Sequence, residues 1–458
     1  MLTGLPISGL LLLCAMACAL RAEDWPGFRG PNGSGVATQA KDLPVRFDES
    51  SLRWTAPVPF GRSSPAVLGD RVILSAADGE TLMVISLHAD TGKEQWRYTR
   101  TRTRRNEIDA NRNDAACGTP AVTADGVYAF FGDYGLIALD PRTGKLQWEM
   151  PLGPFTNNYG MGTSPVLAGG TVFLQIDARR GSVLLAVDRR TGKVRWKTAR
   201  PETVEGWSTP LFTPHGDIVA LSSNGLQAFS AETGESRWLV PAPDSLMIPM
   251  PVLFDNNHIL APIRGSAQPA FPDWAWMLKA DADADGKLVP AEAVKRFPAA
   301  SFGIADSDRD GVITEAEWLR FRNRGVGDFG FSLIRLSDRK VVWRYQKGLP
   351  YVPSPIAYQG LVYAVRTGGI LLALDGESGA LLKEARLPEA GGDYFASLIA
   401  GDGKIYAASA DGKLTVIQPG RDWEVIATAD LGDTIFATPA IARNALFVRT
   451  QRGLRCYR

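Results

Sequence analysis

A pattern of about 40 to 50 residues recurs along most of this chain, and a repeat of that length restricts the fold to a stacked or radial array. Each copy reads as a Ser/Thr-Pro step, an apolar strand, a turn, a second strand, a Gly, a third strand and then Asp-x-x-Thr-Gly-Lys-x-x-Trp. Four copies are nearly complete: Ser64-Pro65 to Trp96, Thr119-Pro120 to Trp148, Ser164-Pro165 to Trp196 and Thr209-Pro210 to Trp238. The later copies are worn. Met250-Pro251 opens a fifth that closes only at Trp343, about twice the usual distance on, and Ser354-Pro355 opens a sixth in which Lys383 replaces the tryptophan. Ser397-Leu398 opens a seventh with Gly412 and Trp423 slightly out of register, and Thr438-Pro439 opens an eighth that stops at Arg458 after its third strand.

The eighth copy has a donor for its missing strand. Residues 52–58 precede the first copy, and Trp54 matches the tryptophan that ends the others. Pairing 53–58 beside the last strands closes a ring and removes both open edges. The expected fold is therefore all-β, an eight-bladed propeller of four-stranded antiparallel blades. In each Thr-Gly-Lys turn the Gly supplies a positive φ. Each outer-strand tryptophan is expected to lie over the neighbouring blade's glycine turn, as interface packing and not as chemistry.

Composition agrees with an array of short strands and tight turns: Gly 47 and Pro 30, without a collagen-like period. Lys and Arg total 50 against 49 for Asp and Glu, which removes the electrostatic case for nucleic acid or anionic lipid as a partner. Residues 1–22 read as an export leader, with a short apolar run from Leu10 to Leu20 and small residues at Ala17 to Ala19. Cleavage after Ala19 or after Ala22 fits about equally well. Against this, the leader's start carries no Lys or Arg, and Ala15 makes Cys18 a poor lipid-attachment site. No later stretch approaches the roughly 20 apolar residues of a membrane span. The expectation is a periplasmic or secreted monomer. Only Cys117 and Cys456 remain outside the leader, two blades apart, and are expected as free thiols.

These repeats resemble the tryptophan-docked propellers of the pyrroloquinoline quinone (PQQ) dehydrogenase-like superfamily, and most of all its non-catalytic branch, which includes the outer-membrane assembly lipoprotein BamB. The opening segment from Trp25 to Gly35 is also like the start of many exported bacterial proteins of that branch. The resemblance covers residues 24–458 apart from one interruption. It implies a fold and leaves the activity open, because sites are grafted onto folds.

The interruption divides the propeller into residues 23–266 and 331–458, and residues 267–330 carry chemistry of their own. Asp281, Asp283, Asp285 and Glu292 stand at positions 1, 3, 5 and 12 of one loop, with Gly286 at the sharp turn and Leu288 at position 8. Asp306, Asp308, Asp310 and Glu317 repeat the arrangement around Gly311 and Ile313. This is the EF-hand pattern: a hard Ca²⁺ ion takes six to eight oxygens, with the carbonyls of Lys287 and Val312 at position 7 completing each shell. Two ions are expected. One such loop could be a solvated acidic turn, but two consecutive full matches favour the metal. Asp273 to Ala280 reads as the entering helix and Glu315 to Asn323 as the leaving one. Only 25 residues separate Asp281 from Asp306, and Pro298 interrupts them, so the intervening helices are short and a structural site is expected in preference to a switch.

The insertion falls between the second and third strands of the fifth blade. It therefore shares a face with the blade-to-blade linkers, including the loop 100–117, and both should overhang one funnel mouth. Asn157, Asn158, Tyr159, Trp207, Arg264 and Arg366 are funnel candidates for a protein or glycan ligand, although for each one loop packing is the plainer explanation. The competing reading is a PQQ-dependent dehydrogenase oxidising an alcohol or sugar. Catalytic members of the superfamily typically carry an Asp base, a cofactor-bound calcium and a stacking tryptophan, and many add a vicinal disulfide. Asp114, Asp133 and Asp177 could reach the funnel, but the chain has no Cys-Cys pair, and His88, His215 and His258 are scattered. A binding or scaffold protein is favoured, and PQQ is not expected.

Overall fold

The computed structural model describes residues 23–102, 104–105, 112–203, 205–243, 247–265, 269, 271–307, 310–323 and 326–458. The expected leader, 1–22, and Asp308 lie outside the described residues. Eight sheets are present, and they are the eight predicted blades. The first contains Ala66–Leu68, Arg71–Asp78, Thr81–His88 and Glu94–Thr101, paired antiparallel in chain order. Six more blades repeat this order.

The eighth is completed from the other end of the chain. Leu52–Ala56 pairs antiparallel with Leu454–Tyr457, setting Trp54 opposite Cys456. The strand thus begins one residue earlier and ends two earlier than the 53–58 predicted. Cys117 and Cys456 are both free.

Tryptophan docking follows the repeat. An added Cβ on Gly92, Gly144, Gly192, Gly234 or Gly379 would fall within 2.5 to 2.7 Å of the indole of Trp54, Trp96, Trp148, Trp196 or Trp343 respectively. The bare turn is what lets each indole lie flat. Each indole N–H then donates to a carbonyl of the same turn, as from Trp54 to Ala89 at 2.9 Å and from Trp96 to Pro141 at 3.0 Å. Where Lys383 replaces tryptophan, its ammonium reaches Asp422 at 2.6 Å and lies 4.8 Å from the Trp423 ring centre. In the fifth blade Arg339, at φ 61°, occupies the glycine's place in the turn.

One part of the architecture was not anticipated. Residues 24–37 run across the base of the ring, on the face opposite the linkers. Trp25 bridges Val67 of the first blade, Val122 of the second donates to the Pro26 carbonyl, and Asn32 reaches Phe212 of the fourth. Arg29 is fully buried and donates to the Pro355 carbonyl at 2.6 Å. Burial holds its pKa down to about 9. Val36–Ala37 then adds a parallel fifth strand inside the seventh blade, against Ile399–Gly401.

The interruption joins His258–Ile263 to Gly330–Arg335, the second and third strands of the fifth blade, as expected. It has its own core of Trp274, Met277, Phe297, Phe302, Ile313 and Trp318, among others. No helix among the described residues is long and apolar enough to cross a membrane.

Candidate functional site

Two places on the linker face gather polar chemistry, the inserted loops and the funnel. In the insertion, Trp274–Met277, capped by Asp273, leads through a 3-10 turn into the first acidic loop, and Glu315–Arg322 leaves the second. The two loops share several backbone bonds. The Gly286 N–H donates to Asp281 Oδ2 at 2.9 Å, and the Gly311 N–H to Asp306 Oδ2 at 3.1 Å. The residue after each glycine donates to the fifth-position carboxylate: Lys287 to Asp285 at 2.8 Å and Val312 to Asp310 at 3.0 Å. Each last Glu is anchored from both ends of its loop, Glu292 by Ala282 and Val289, and Glu317 by Ser307 and Thr314. Leu288 and Ile313 join the loops through a two-way backbone bridge, with bonds of 3.0 and 2.9 Å.

This geometry holds the carboxylates at close quarters. Ligand oxygens of Asp281, Asp283 and Asp285 lie within 4.8 Å of one another. Asp306 Oδ1 is buried and, among the described residues, has no hydrogen-bond donor. A buried, unpartnered carboxylate oxygen is expensive unless a cation faces it, so the residues present fit a hard divalent ion.

The funnel is built from the linkers. The backbone N–H of Ser64 donates to Thr119 Oγ1 at 2.9 Å, that of Thr119 to Ser164 Oγ at 3.0 Å, and that of Ser164 to Thr209 Oγ1 at 3.1 Å. Met250 breaks the belt, having no hydroxyl, and then its own N–H resumes it to Ser354 Oγ at 3.0 Å. Ser354 continues to Ser397, and Ser397 to Thr438, both at 2.9 Å. The Ser/Thr of the repeat is thus a blade-to-blade clasp around the axis.

Above the belt sits a cavity of about 420 Å³. Its second tier comes from the residue two places before each belt position. The first four blades contribute Arg62, Cys117, Gly162 and Trp207, and the rest Ile248, Val352, Phe395 and Phe436. Phe28, from the segment across the base, also lines it. At the mouth Trp207 and Tyr159 stack at 5.3 Å, Arg112 donates to the Tyr351 hydroxyl at 3.4 Å, and the Arg264 guanidinium lies 4.6 Å from the Tyr351 ring centre. Burial lowers the Arg264 pKa and raises that of Tyr394.

Of the predicted funnel residues, Tyr159 and Trp207 line the cavity and Arg264 stands at its lip. Three others are engaged elsewhere. Asn157 donates to the Asp177 carbonyl, Asn158 binds Glu205, and Arg366 pairs with Glu384. The three carboxylates considered for the funnel do not line the cavity either. Asp177 is buried against Arg200 at 2.5 Å, Asp133 faces Arg102 at 3.4 Å, and Asp114 accepts the Arg62 and Ala116 backbone N–H groups. Burial raises the pKa of Asp177 and of Asp114. Arg62, Tyr351, Asp393, Phe395 and Phe436 were missed, although aligning the copies on the Ser/Thr step would have exposed most of them.

A sequence model of the family described as outer membrane protein assembly factor BamB matches residues 30–240 and 326–458, leaving out the insertion. No curated protein matches the chain in sequence. Among solved structures, BamB from Moraxella catarrhalis is 16% identical, with a TM-score of 0.54 over 88% of this chain and 97% of that one. A europium-containing methanol dehydrogenase is 12% identical, with a TM-score of 0.62 over 94% and 90%. The quinohemoprotein alcohol dehydrogenase of Comamonas testosteroni is 15% identical, with a TM-score of 0.59 over 95% and 80%. At these identities the likeness is one of fold.

Proposed function

Because this chain belongs to the BamB family of PQQ-like propeller repeat proteins, we propose that it is an exported binding or scaffold protein of the cell envelope. In this reading it takes a protein or glycan ligand at the funnel and carries two calcium ions in its insertion. The leader-like residues 1–22 and the family support export to the periplasm or beyond. One observation carries the calcium reading: both acidic loops share their glycine, fifth-position and terminal-Glu backbone bonds, and among the described residues one leaves a buried carboxylate oxygen without a donor. Asp281, Asp283, Asp285 and Glu292, with the Lys287 carbonyl, would hold one ion. Asp306, Asp308, Asp310 and Glu317, with the Val312 carbonyl, would hold the other. Calcium here neutralises crowded carboxylates and fixes the loops. The short helices between them favour a structural role.

The dehydrogenase alternative draws support from the two quinoprotein neighbours. The three carboxylates that the sequence offered as its base, Asp114, Asp133 and Asp177, are spent on packing, which leaves that role to a carboxylate such as Asp393 at the mouth. On the scaffold reading, adding PQQ with calcium is expected to give neither quinone absorbance on the protein nor alcohol-dependent dye reduction.

Calcium titration by calorimetry tests the metal reading. A ligand that binds only the folded loops stabilises them by about 2.7 kcal/mol at a hundredfold excess over its Kd. Chelation should accordingly raise proteolysis between residues 264 and 331 while the blades stay intact. Glu292→Gln with Glu317→Gln should do the same in the presence of calcium. The reading fails if the wild type gives no binding heat, or if the double variant takes up two ions with unchanged affinity.

A further inference from the structure

We infer that the funnel receives the end of a saccharide chain, an inference that rests on the reading of the funnel as a binding site. A hydroxyl has one proton to donate and two lone pairs. Six belt hydroxyls, on Thr119, Ser164, Thr209, Ser354, Ser397 and Thr438, already accept a backbone N–H from the blade before. Among the described residues none of the six has a protein acceptor for its own proton. All six line the cavity. Its lower tier therefore carries six O–H donors around the axis, interrupted at Met250, for which the described residues supply no acceptor.

The wall above supplies the complementary surfaces. Phe395 and Phe436 meet edge-on at 5.3 Å on one side, and Trp207 with Tyr159 stands on another. Asp393, exposed at the mouth, offers a carboxylate as acceptor. A sugar ring has this composition: C–H faces that pack on aromatic rings, and a perimeter of oxygens that both accept and donate. An extended peptide presents its amides in a line along a strand, and such groups are met by a sheet edge rather than by a ring of hydroxyls. Phe28, from the segment that crosses the base, lines the cavity as well, which favours entry of a chain end from the linker face. The volume, about 420 Å³, lies within the ordinary range for small-ligand pockets.

The full-length protein should be screened on a glycan microarray, and the strongest-binding oligosaccharide then titrated by calorimetry. Asp393→Ala and Phe395→Ala should each weaken that binding by about tenfold or more, with near-ultraviolet dichroism unchanged. Asp393→Asn serves if the alanine variant is unstable. Hydrogen exchange should show protection of the linker around 393–397 when the sugar is bound. Unchanged affinity in both variants would overturn the inference. Binding of short peptides at 393–397 in place of any saccharide would also overturn it, while leaving the binding-site reading intact. No protection of 393–397 by any saccharide or peptide would overturn both.

Discussion

Arg449 offers the sharpest test of how the ring is locked. It ends the second strand of the last blade, is 1% exposed, and reaches across the closure into the first blade. Its guanidinium donates to the Ser63 carbonyl at 2.9 Å, the Ser63 hydroxyl at 2.6 Å, the Ser75 carbonyl at 2.8 Å and the Pro59 carbonyl at 3.1 Å. Gly61 permits the approach, since a Cβ there would lie 2.5 Å from Nη2. Arg449→Met keeps most of the volume and removes every donor. The Ser75 carbonyl retains the Ser63 hydroxyl at 2.9 Å, which leaves the Ser63 and Pro59 carbonyls unserved. Each such loss costs about 1–3 kcal/mol. Burial also holds the Arg449 pKa down to about 10, a cost that methionine removes. The expected destabilisation is therefore in the lower part of the summed range, about 3 kcal/mol. Equilibrium urea unfolding should show a lower midpoint with an unchanged slope. Arg97→Met, which breaks the exposed pair with Glu94 and a long contact to the Met83 sulfur, should stay within about 0.5 kcal/mol of wild type. If the two variants unfold at the same midpoint, Arg449 is not a clasp and the argument is wrong.

Two further outcomes follow from the packing. Deleting residues 1–56 strips the partner from Leu454–Tyr457 and should turn a monodisperse protein into aggregates by size-exclusion chromatography; a soluble, monomeric deletion with unchanged melting would contradict ring closure by that strand. Gly144→Ala places a Cβ at φ 68° and 2.5 Å from the Trp96 ring, and should cost about 2–4 kcal/mol in urea unfolding. Gly169→Ala, which meets open space at φ 55°, should cost only about 1–2 kcal/mol, and equal losses would remove the tryptophan from the explanation.

The blade count and the closing strand were legible because they depend on residues that do one job wherever they recur. Trp54 could be assigned to the last blade before any fold was known, since it matches the tryptophan that ends the other copies and the last copy lacked its fourth strand. What escaped notice depends on partners far away in sequence. Nothing in the sequence marks Arg29 and Arg449 as buried, yet both are, held by backbone carbonyls from distant blades. Val36–Ala37 is too short to show a strand period, and its pairing is decided by Ile399–Gly401 more than 360 positions on. In the funnel, Asn158 and Arg366 have the right chemistry and sit near the mouth, but Glu205 and Glu384 claim them first. The cavity wall had a usable signal, the position two before each Ser/Thr step, which becomes visible only when the copies are aligned on their linkers instead of their tryptophans.

The segment across the base sets a timetable for the chain's maturation. Residues 24–37 are made long before their partners, since Arg29 needs the Pro355 carbonyl and Val36–Ala37 needs Ala400 and Gly401. The strand Leu52–Ala56 waits longer still, for Leu454–Tyr457. Neither can dock until nearly the whole polypeptide has been delivered. Contacts of such long sequence separation slow folding and leave unpaired strands exposed meanwhile. A chain arrested before its last blade would leave Leu52–Ala56 without its partner strand, an unmated edge open to other chains.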